Sequence, residues 1–411
     1  MRAPAADRRA AWAGHARDLL RLSLAVHILG LGLGTAMFEI GAVGTFASLS
    51  AYYLLDWQGS SLRRLRPRWP YFLFLAVLLF GVFHSVSPAS GCYVLRHTWY
   101  KGPILVLAGL EAVRGWRDLG LFAWAFAAMA CLRGMAGTWE LAHRGWIVEK
   151  RVGNLMSMAL PLCFCLPLFL PRAWAAWQRW LATALVALPG FITWGGAEAR
   201  SGWLGLSAAA LAFLWTRVST RKALLAAGLV LAVLLLARPG HLNPRDVAAD
   251  ARWEIWSAAI QVWKAHPLLG AGANAFEAGY RQLGIVFDPS QYGDDLPHPH
   301  NIYLQFLAEN GLVGMAAFLI FVLGTVLRCG RRIKRELRQA AEIRDRPARE
   351  FAHWFAAACF WSAFVGYLAS GMSAHSFFRN WWLSAAMTLL GLALGACTAA
   401  PGRPANPGGR A

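Results

Sequence analysis

The chain has 411 residues, 57% of them hydrophobic and only 15% charged, against roughly 25% charged in soluble globular domains; that balance excludes an ordinary water-soluble enzyme. The formal charge of +19 suggests nucleic acid, but the 40 Lys and Arg residues sit mainly in short loops between apolar runs. No basic, aromatic-interleaved surface stands apart from those loops, which excludes a duplex or single-strand binder.

Arg2, Arg8, Arg9, Arg17 and Arg21 precede the first apolar run, which flows into a second without a small-residue cleavage site. A retained anchor is expected, not a removed signal. Apolar runs of the length needed to cross about 30 Å of hydrocarbon then recur near 19–37, 39–56, 70–87, 101–113, 118–134, 154–171, 180–195, 201–217, 222–238, 311–328, 351–371 and 380–397. The fourth is short. Glycines such as Gly30, Gly32, Gly34, Gly41 and Gly44 punctuate the first two, as close helix packing requires. The seven cysteines are scattered; Cys131, Cys163, Cys165, Cys359 and Cys397 fall inside apolar runs, where a thiol acts as a small hydrophobe. Neither a zinc nor a disulfide framework emerges.

Cations set the topology. Arg63, Arg64, Arg66 and Arg68 follow span two, Arg114 and Arg117 span four, Arg172 and Arg179 span six, and Arg217, Arg221 and Lys222 span eight. Eight Arg and one Lys lie between Arg328 and Arg349, after span ten. Every even-numbered span thus ends in a basic loop, so both termini are expected on the cytoplasmic side. The expectation is an all-α polytopic membrane protein of about 12 transmembrane helices. Its parts are helices one to nine over 1–238, a partly helical outer loop domain over 239–299, a lead-in helix with helices ten to twelve over 300–397, and a disordered tail over 398–411.

The outer loop is long enough to be a functional segment. Asn243-Pro244 opens a helix running to about Ala265, with Arg252, Trp256, Ile260 and Trp263 at helical spacing. Pro267 stops it, and the turn Gly270-Ala271-Gly272-Ala273-Asn274 follows. The loop closes on His298-Pro299-His300-Asn301 and enters span ten. Asn301, Gln305 and Glu309 recur on one helical face, which predicts an amphipathic lead-in over 300–310 at the outer interface. His300 sits at its N-terminus, where the helix's partial positive charge favours the neutral ring, and an imidazole there can take a proton from a sugar hydroxyl.

Arg200, after Trp194-Gly195-Gly196 and before Ser201-Gly202-Trp203, lies on the wrong side for a topology-setting charge. Arg252 and Arg281 are likewise outside, and guanidinium forks suit phosphate oxygens. Snorkelling to lipid headgroups is the bland account of each. Asp288, Asp294 and Asp295 with His298 and His300 invite a metal site, but adjacent acids in a turn with Gly293 and Pro297 are more simply a solvated loop, and no metal or other cofactor is expected.

Three pieces together resemble the O-antigen ligase and polymerase superfamily: His300-Asn301-Ile302-Tyr303-Leu304 with Glu309-Asn310-Gly311-Leu312-Val313-Gly314; Arg200-Ser201-Gly202-Trp203-Leu204-Gly205; and Arg252-Trp253-Glu254-Ile255-Trp256 leading to His266-Pro267-Leu268-Leu269-Gly270-Ala271-Gly272. The resemblance runs in register over about 195–330 and elsewhere only in topology. It implies a GT-C-like membrane fold and a metal-independent, inverting transfer from an undecaprenyl-pyrophosphate-linked glycan to an acceptor hydroxyl. His300 would be the general base, with Arg200 and Arg252 on the pyrophosphate; apart from the resemblance, the reading of the residues adds Glu309 and Arg281 in support, with His298 and Asn301, as substrate-binding residues. Polymerases tend to carry two large outer loops with an Arg-x10-Gly pattern, and protein-targeting relatives run longer. The expectation is therefore a ligase of the bacterial inner membrane with lipid A-core as acceptor, working as a monomer among membrane lipids and facing the periplasm. A polymerase and a protein O-oligosaccharyltransferase stand as alternatives. A lipid-linked glycan transporter would want charged or broken helices at mid-membrane and internal repeats, and the sequence has few of the former and none of the latter.

Overall fold

The computed structural model describes residues 5–149, 152–197, 199–237, 252–287, 298–342, 348–373, 377 and 379–399. Among these there are helices and no strands. The expected helix opening at Asn243-Pro244, the acids Asp288, Asp294 and Asp295, and the C-terminal tail from Pro401 lie outside the described residues.

The first hairpin follows from its glycines. Helices α1 (Ala5–Leu33) and α2 (Thr35–Asp56) meet at Gly34, whose φ of 129° suits a residue without Cβ. A Cβ at Gly30 would lie 2.3 Å from the Phe38 amide nitrogen, and one at Gly41 2.3 Å from that of His27. The two backbones touch, so these glycines serve packing.

After a short α3 (Ser61–Arg64) come α4 (Trp69–Phe83), α5 (Pro88–His97) and α6 (Leu105–Ala112). The expected fourth span therefore yields an eight-residue helix, about 12 Å of rise, too short to cross a bilayer alone; turns at Trp99–Ile104 take up its start. The chain continues through α7 (Trp116–Arg144), α8 (Val152–Cys163), α9 (Ala176–Gly196), α10 (Arg200–Arg217) and α11 (Thr220–Ala237). Helices α12 (Arg252–Ala265) and α13 (Phe276–Gln282) lie in the expected outer loop. The final set is α14 (Ile302–Phe321), a π-helical stretch Val322–Leu327, α15 (Arg328–Glu342), α16 (Ala348–Ser370) and α17 (Asn380–Thr398).

Among the described residues, five helical stretches are long and apolar enough to cross a membrane by length and composition: Thr35–Asp56, Trp116–Arg144, Ile302–Glu342, Ala348–Ser370 and Asn380–Thr398. Trp69–Phe83 and Val152–Leu168 are shorter apolar helices. Helices α16 and α17 form the centre, with Trp354, Phe360, Tyr367, Leu383 and Leu390 buried. A second, smaller core joins the loop helices to α14 through Ile255, Ala259, Val262, Phe276, Tyr280 and Ala308. That core holds α12 and α13 to the bundle end where α14 begins.

Candidate active site

The site is built around a break in α14. Gly311 has φ 62° and ψ −161°, so the segment from Ile302 to Asn310 and the rest of the helix each expose unsatisfied backbone groups. The turn after Pro267 fills both ends of the gap. Ala271 and Gly272 amides donate to the Ala308 and Glu309 carbonyls at 2.9 and 2.8 Å, and the Leu312 and Val313 amides donate to the Pro267 and Leu268 carbonyls at 3.0 and 3.1 Å. Such an approach demands glycine. A Cβ at Gly270, whose φ is 72°, would stand 2.3 Å from the Glu309 carbonyl carbon, and one at Gly311 2.3 Å from the Leu268 carbonyl oxygen.

The side chains of the lead-in segment complete this frame. Gln305 and Glu309 are 2% and 1% exposed, so the polar face expected at the water interface is turned inward. The reason is the donors that wait there. Glu309 accepts from the Asn274 amide at 3.0 Å, the Phe276 amide at 3.2 Å and Gln305 Nε2 at 3.1 Å. Gln305 Oε1 accepts the Phe377 amide at 2.6 Å. Three separate stretches of chain meet on two side chains.

His300 lies just before this segment with φ 50°, a left-handed conformation in which His is one of the more tolerated residues. Asn301 is the N-cap, its side chain accepting from the Tyr303 and Leu304 amides at 3.0 and 3.1 Å. The Ile302 amide donates to the Gly371 carbonyl at 2.8 Å, and Tyr303 donates its hydroxyl hydrogen to the Leu368 carbonyl at 2.8 Å. With its neighbours pinned, His300 packs edge-on against His298, ring centres 3.9 Å apart and planes at 82°. Both rings are half-buried.

Trp256 ties α12 to this pair: its indole N–H donates to the Pro299 carbonyl at 2.9 Å, between the two histidines. Arg252 stands one turn earlier on the same face of α12, about 6 Å along the axis, and is half-buried. Arg200 is the exposed first residue of α10. Next to it, Ser201 donates to Asn154 Oδ1 at 2.8 Å, and the Trp194 indole N–H donates to the Gly202 carbonyl at 3.1 Å while its ring packs on Trp203.

The predicted site residues therefore divide. His298, His300 and the Arg252 helix are joined by direct contacts. Arg200 begins a helix fixed to the N-terminal turn of α8. Asn301 and Glu309 are occupied in capping and clamping. Arg281 is exposed and pairs with Glu277 one turn back at 2.9 Å. Sequence reasoning passed over Arg379, the N-cap of α17, two residues beyond Phe377 and its bond to Gln305. The argument that singled out Arg200, a cation at the outer start of an apolar run, applies equally to Arg379.

No curated protein matches the chain. Residues 185–319 match the O-antigen ligase family model, a stretch that starts in α9 and holds Arg200, Arg252, the His298–His300 pair and the break at Gly311. Over that segment, about a third of its length, the chain is similar to the O-antigen ligase family.

Proposed function

We propose that this protein transfers a glycan from undecaprenyl pyrophosphate to a hydroxyl of the lipid A-core oligosaccharide, on the periplasmic side of the bacterial inner membrane. The observation that carries the reading is the His298–His300 pair, fixed at the start of α14 and bound through Pro299 to the helix that bears Arg252. A base held by capped, bonded neighbours on both sides has the preorganisation that proton transfer needs.

In this reading His300 takes the proton of the acceptor hydroxyl as its oxygen attacks the anomeric carbon from the face opposite the leaving group. The new C–O bond forms with inversion while the bond from that carbon to the pyrophosphate oxygen breaks. Arg200 and Arg252 hold the negative charge that grows on the departing pyrophosphate, and His300 then releases its proton to water. No step calls for a metal ion. A twelve-helix, GT-C-like arrangement with both termini in the cytoplasm is part of the same proposal.

Transfer assays with purified full-length protein, undecaprenyl-pyrophosphate-linked glycan and a chelator test it. Lipid A-core, free repeat units and a peptide serve as competing acceptors. Only the first should be extended, and His300→Ala should lower the rate by about 100- to 10,000-fold, the usual contribution of a general base. Full transfer by His300→Ala removes the base assignment, and extension of repeat units in place of lipid A-core makes the protein a polymerase.

A further inference from the structure

A mixed apolar and charged cavity near the start of α10 has no role in the donor chemistry above. Its volume is about 360 Å³, and Gly34, Arg133, Glu149, Arg379, Trp381 and Trp382 line it; small-molecule sites span about 300–1,000 Å³. None of Arg200, Arg252 or His300 is among its lining residues.

Its chemistry suits a charged sugar. Arg379 is the N-cap of α17 and Trp381 and Trp382 belong to its first turn, so the positive pole of a 19-residue helix stands at the cavity. Arg133 adds a second guanidinium, with its Nη2 3.3 Å from Glu149. Two guanidiniums against the single Glu149 carboxylate, together with a helix N-terminus, leave the cavity with a net preference for an anion. Trp381 stacks on Phe38 with ring centres 5.1 Å apart and planes at 3°, which fixes a flat indole of the kind that packs against the C–H face of a pyranose. Glu149 offers an acceptor to sugar hydroxyls.

Its place is as informative. Val152 and Leu155 of α8 line one wall, and Asn154 between them accepts the bond from Ser201, the neighbour of Arg200. On another wall Arg379 follows Phe377, whose amide is bonded to Gln305 of the segment that His300 begins. The cavity therefore lies beside both halves of the site. A transfer between two lipid-borne substrates needs two headgroup seats, and the donor pyrophosphate already has its arginines.

We propose that this cavity seats the phosphate-bearing sugar headgroup of the glycolipid acceptor; the identification as acceptor rests on the transfer reading above. The test uses the full chain in nanodiscs without donor. The probe is lipopolysaccharide core glycolipid lacking O-antigen, used intact and after chemical removal of its phosphates. Arg379→Gln and Arg133→Gln should each weaken binding of the intact probe by about 10- to 100-fold, the effect of losing a hydrogen bond between charged groups. Both should change binding of the dephosphorylated probe by less than about twofold, and Arg379→Lys should keep most of the affinity. In transfer assays the same variants should raise the acceptor KM and leave the donor KM unchanged.

Equal affinity of wild type and variants, an equal loss with both probes, or a loss seen in donor KM alone overturns the assignment. If the substitutions prevent membrane insertion, the wild-type protein decides: it must bind the intact probe at least about tenfold more tightly than the dephosphorylated one, and equality overturns it. Because binding is read without donor, a chain that binds the probe but transfers nothing refutes the transferase reading and leaves the headgroup site standing.

Discussion

At the end of the bundle that carries the N-terminal half of α1, three arginines of that helix, Arg9, Arg17 and Arg21, bond the protein itself. Arg17 donates to the Glu111 carbonyl at 2.6 Å and to Ser61 Oγ at 3.3 Å. Arg21 reaches the Ala112 carbonyl at 2.9 Å and Asp118 at 3.2 Å, and Arg9 the Leu54 and Leu55 carbonyls at 3.0 and 2.8 Å. These carbonyls belong to the C-terminal turns of α2 and α6, where a helix presents negative partial charge. At the His300 end the arrangement is inverted. Arg200 is the first residue of α10 and Arg379 the N-cap of α17, where the helix pole is positive and a cation costs about 0.3–1 kcal/mol. Cations placed with the dipole hold a fold together. Cations placed against it weaken the fold and, together with the helix amides, strengthen the attraction for an anion that arrives from outside.

Substitutions that separate activity from stability break this comparison if it is false. The largest effect is expected at the His300 end: Arg200→Ala and Arg252→Ala should each lower kcat/KM for the glycan donor by about 100- to 1,000-fold, the range found for removing one charge-stabilising donor. Arg200→Lys should be less damaging than Arg200→Ala, and the thermal unfolding midpoints of the two Arg200 variants should not fall. Donor kinetics at wild-type level in both alanine variants would take these residues out of the mechanism. Arg17→Ala should do the reverse. Arg17 and Glu111 side chains are 9% and 0% exposed, and breaking a buried pair costs about 3–5 kcal/mol. Glu111 keeps its bonds from the Ser61 and Leu62 amides at 2.8 and 2.9 Å, so the lower figure applies. Unfolding in detergent should show that loss with donor and acceptor KM unchanged in the folded fraction.

Between these extremes stands Glu309→Gln. The substitution keeps the shape but turns one accepting oxygen into an N–H2 group, which then faces a backbone amide of Asn274 or Phe276. Leaving one such buried donor unmatched costs about 1–3 kcal/mol. Hydrogen exchange at Asn274, Phe276 and Phe377 should quicken while the Ser61 and Leu62 amides stay protected. Uniform quickening at both ends would show that Glu309 stabilises the whole bundle and is no local clamp.

How far the sequence announced these features depends on the range of the interactions behind them. The all-helical, apolar character was legible because apolar runs are local signals, and so was the end of α12 before Pro267 with its glycine turn. The inward turn of Gln305 and Glu309 was not. Period and polarity placed them on one face, but the donors that make burial possible come from Asn274 and Phe276, more than thirty positions upstream, and from Phe377, more than sixty downstream. The fourth span was already short in the sequence, and Lys101, Gly102 and Pro103 at its start leave only the eight residues of α6 helical. Arg379 was within reach of the reasoning applied to Arg200 and was passed over because no motif surrounds it.

The smallest effect sharpens the comparison from the other side. Arg281 lies in the outer loop like Arg252, yet its side chain is 61% exposed and already paired with Glu277 on the same face of α13. An exposed pair of this spacing is worth no more than about 0.5 kcal/mol. It stands near the end of a seven-residue helix, where the dipole suits a cation. By the polarity of its own helix and its pairing with Glu277, this arginine stabilises its own turn and waits for no anion. Arg281→Ala should therefore shift the unfolding midpoint by no more than about a degree and leave donor and acceptor KM within about twofold of wild type. A tenfold loss of donor use in that variant would mean that helix polarity does not sort the arginines, and that their location in the outer loop does.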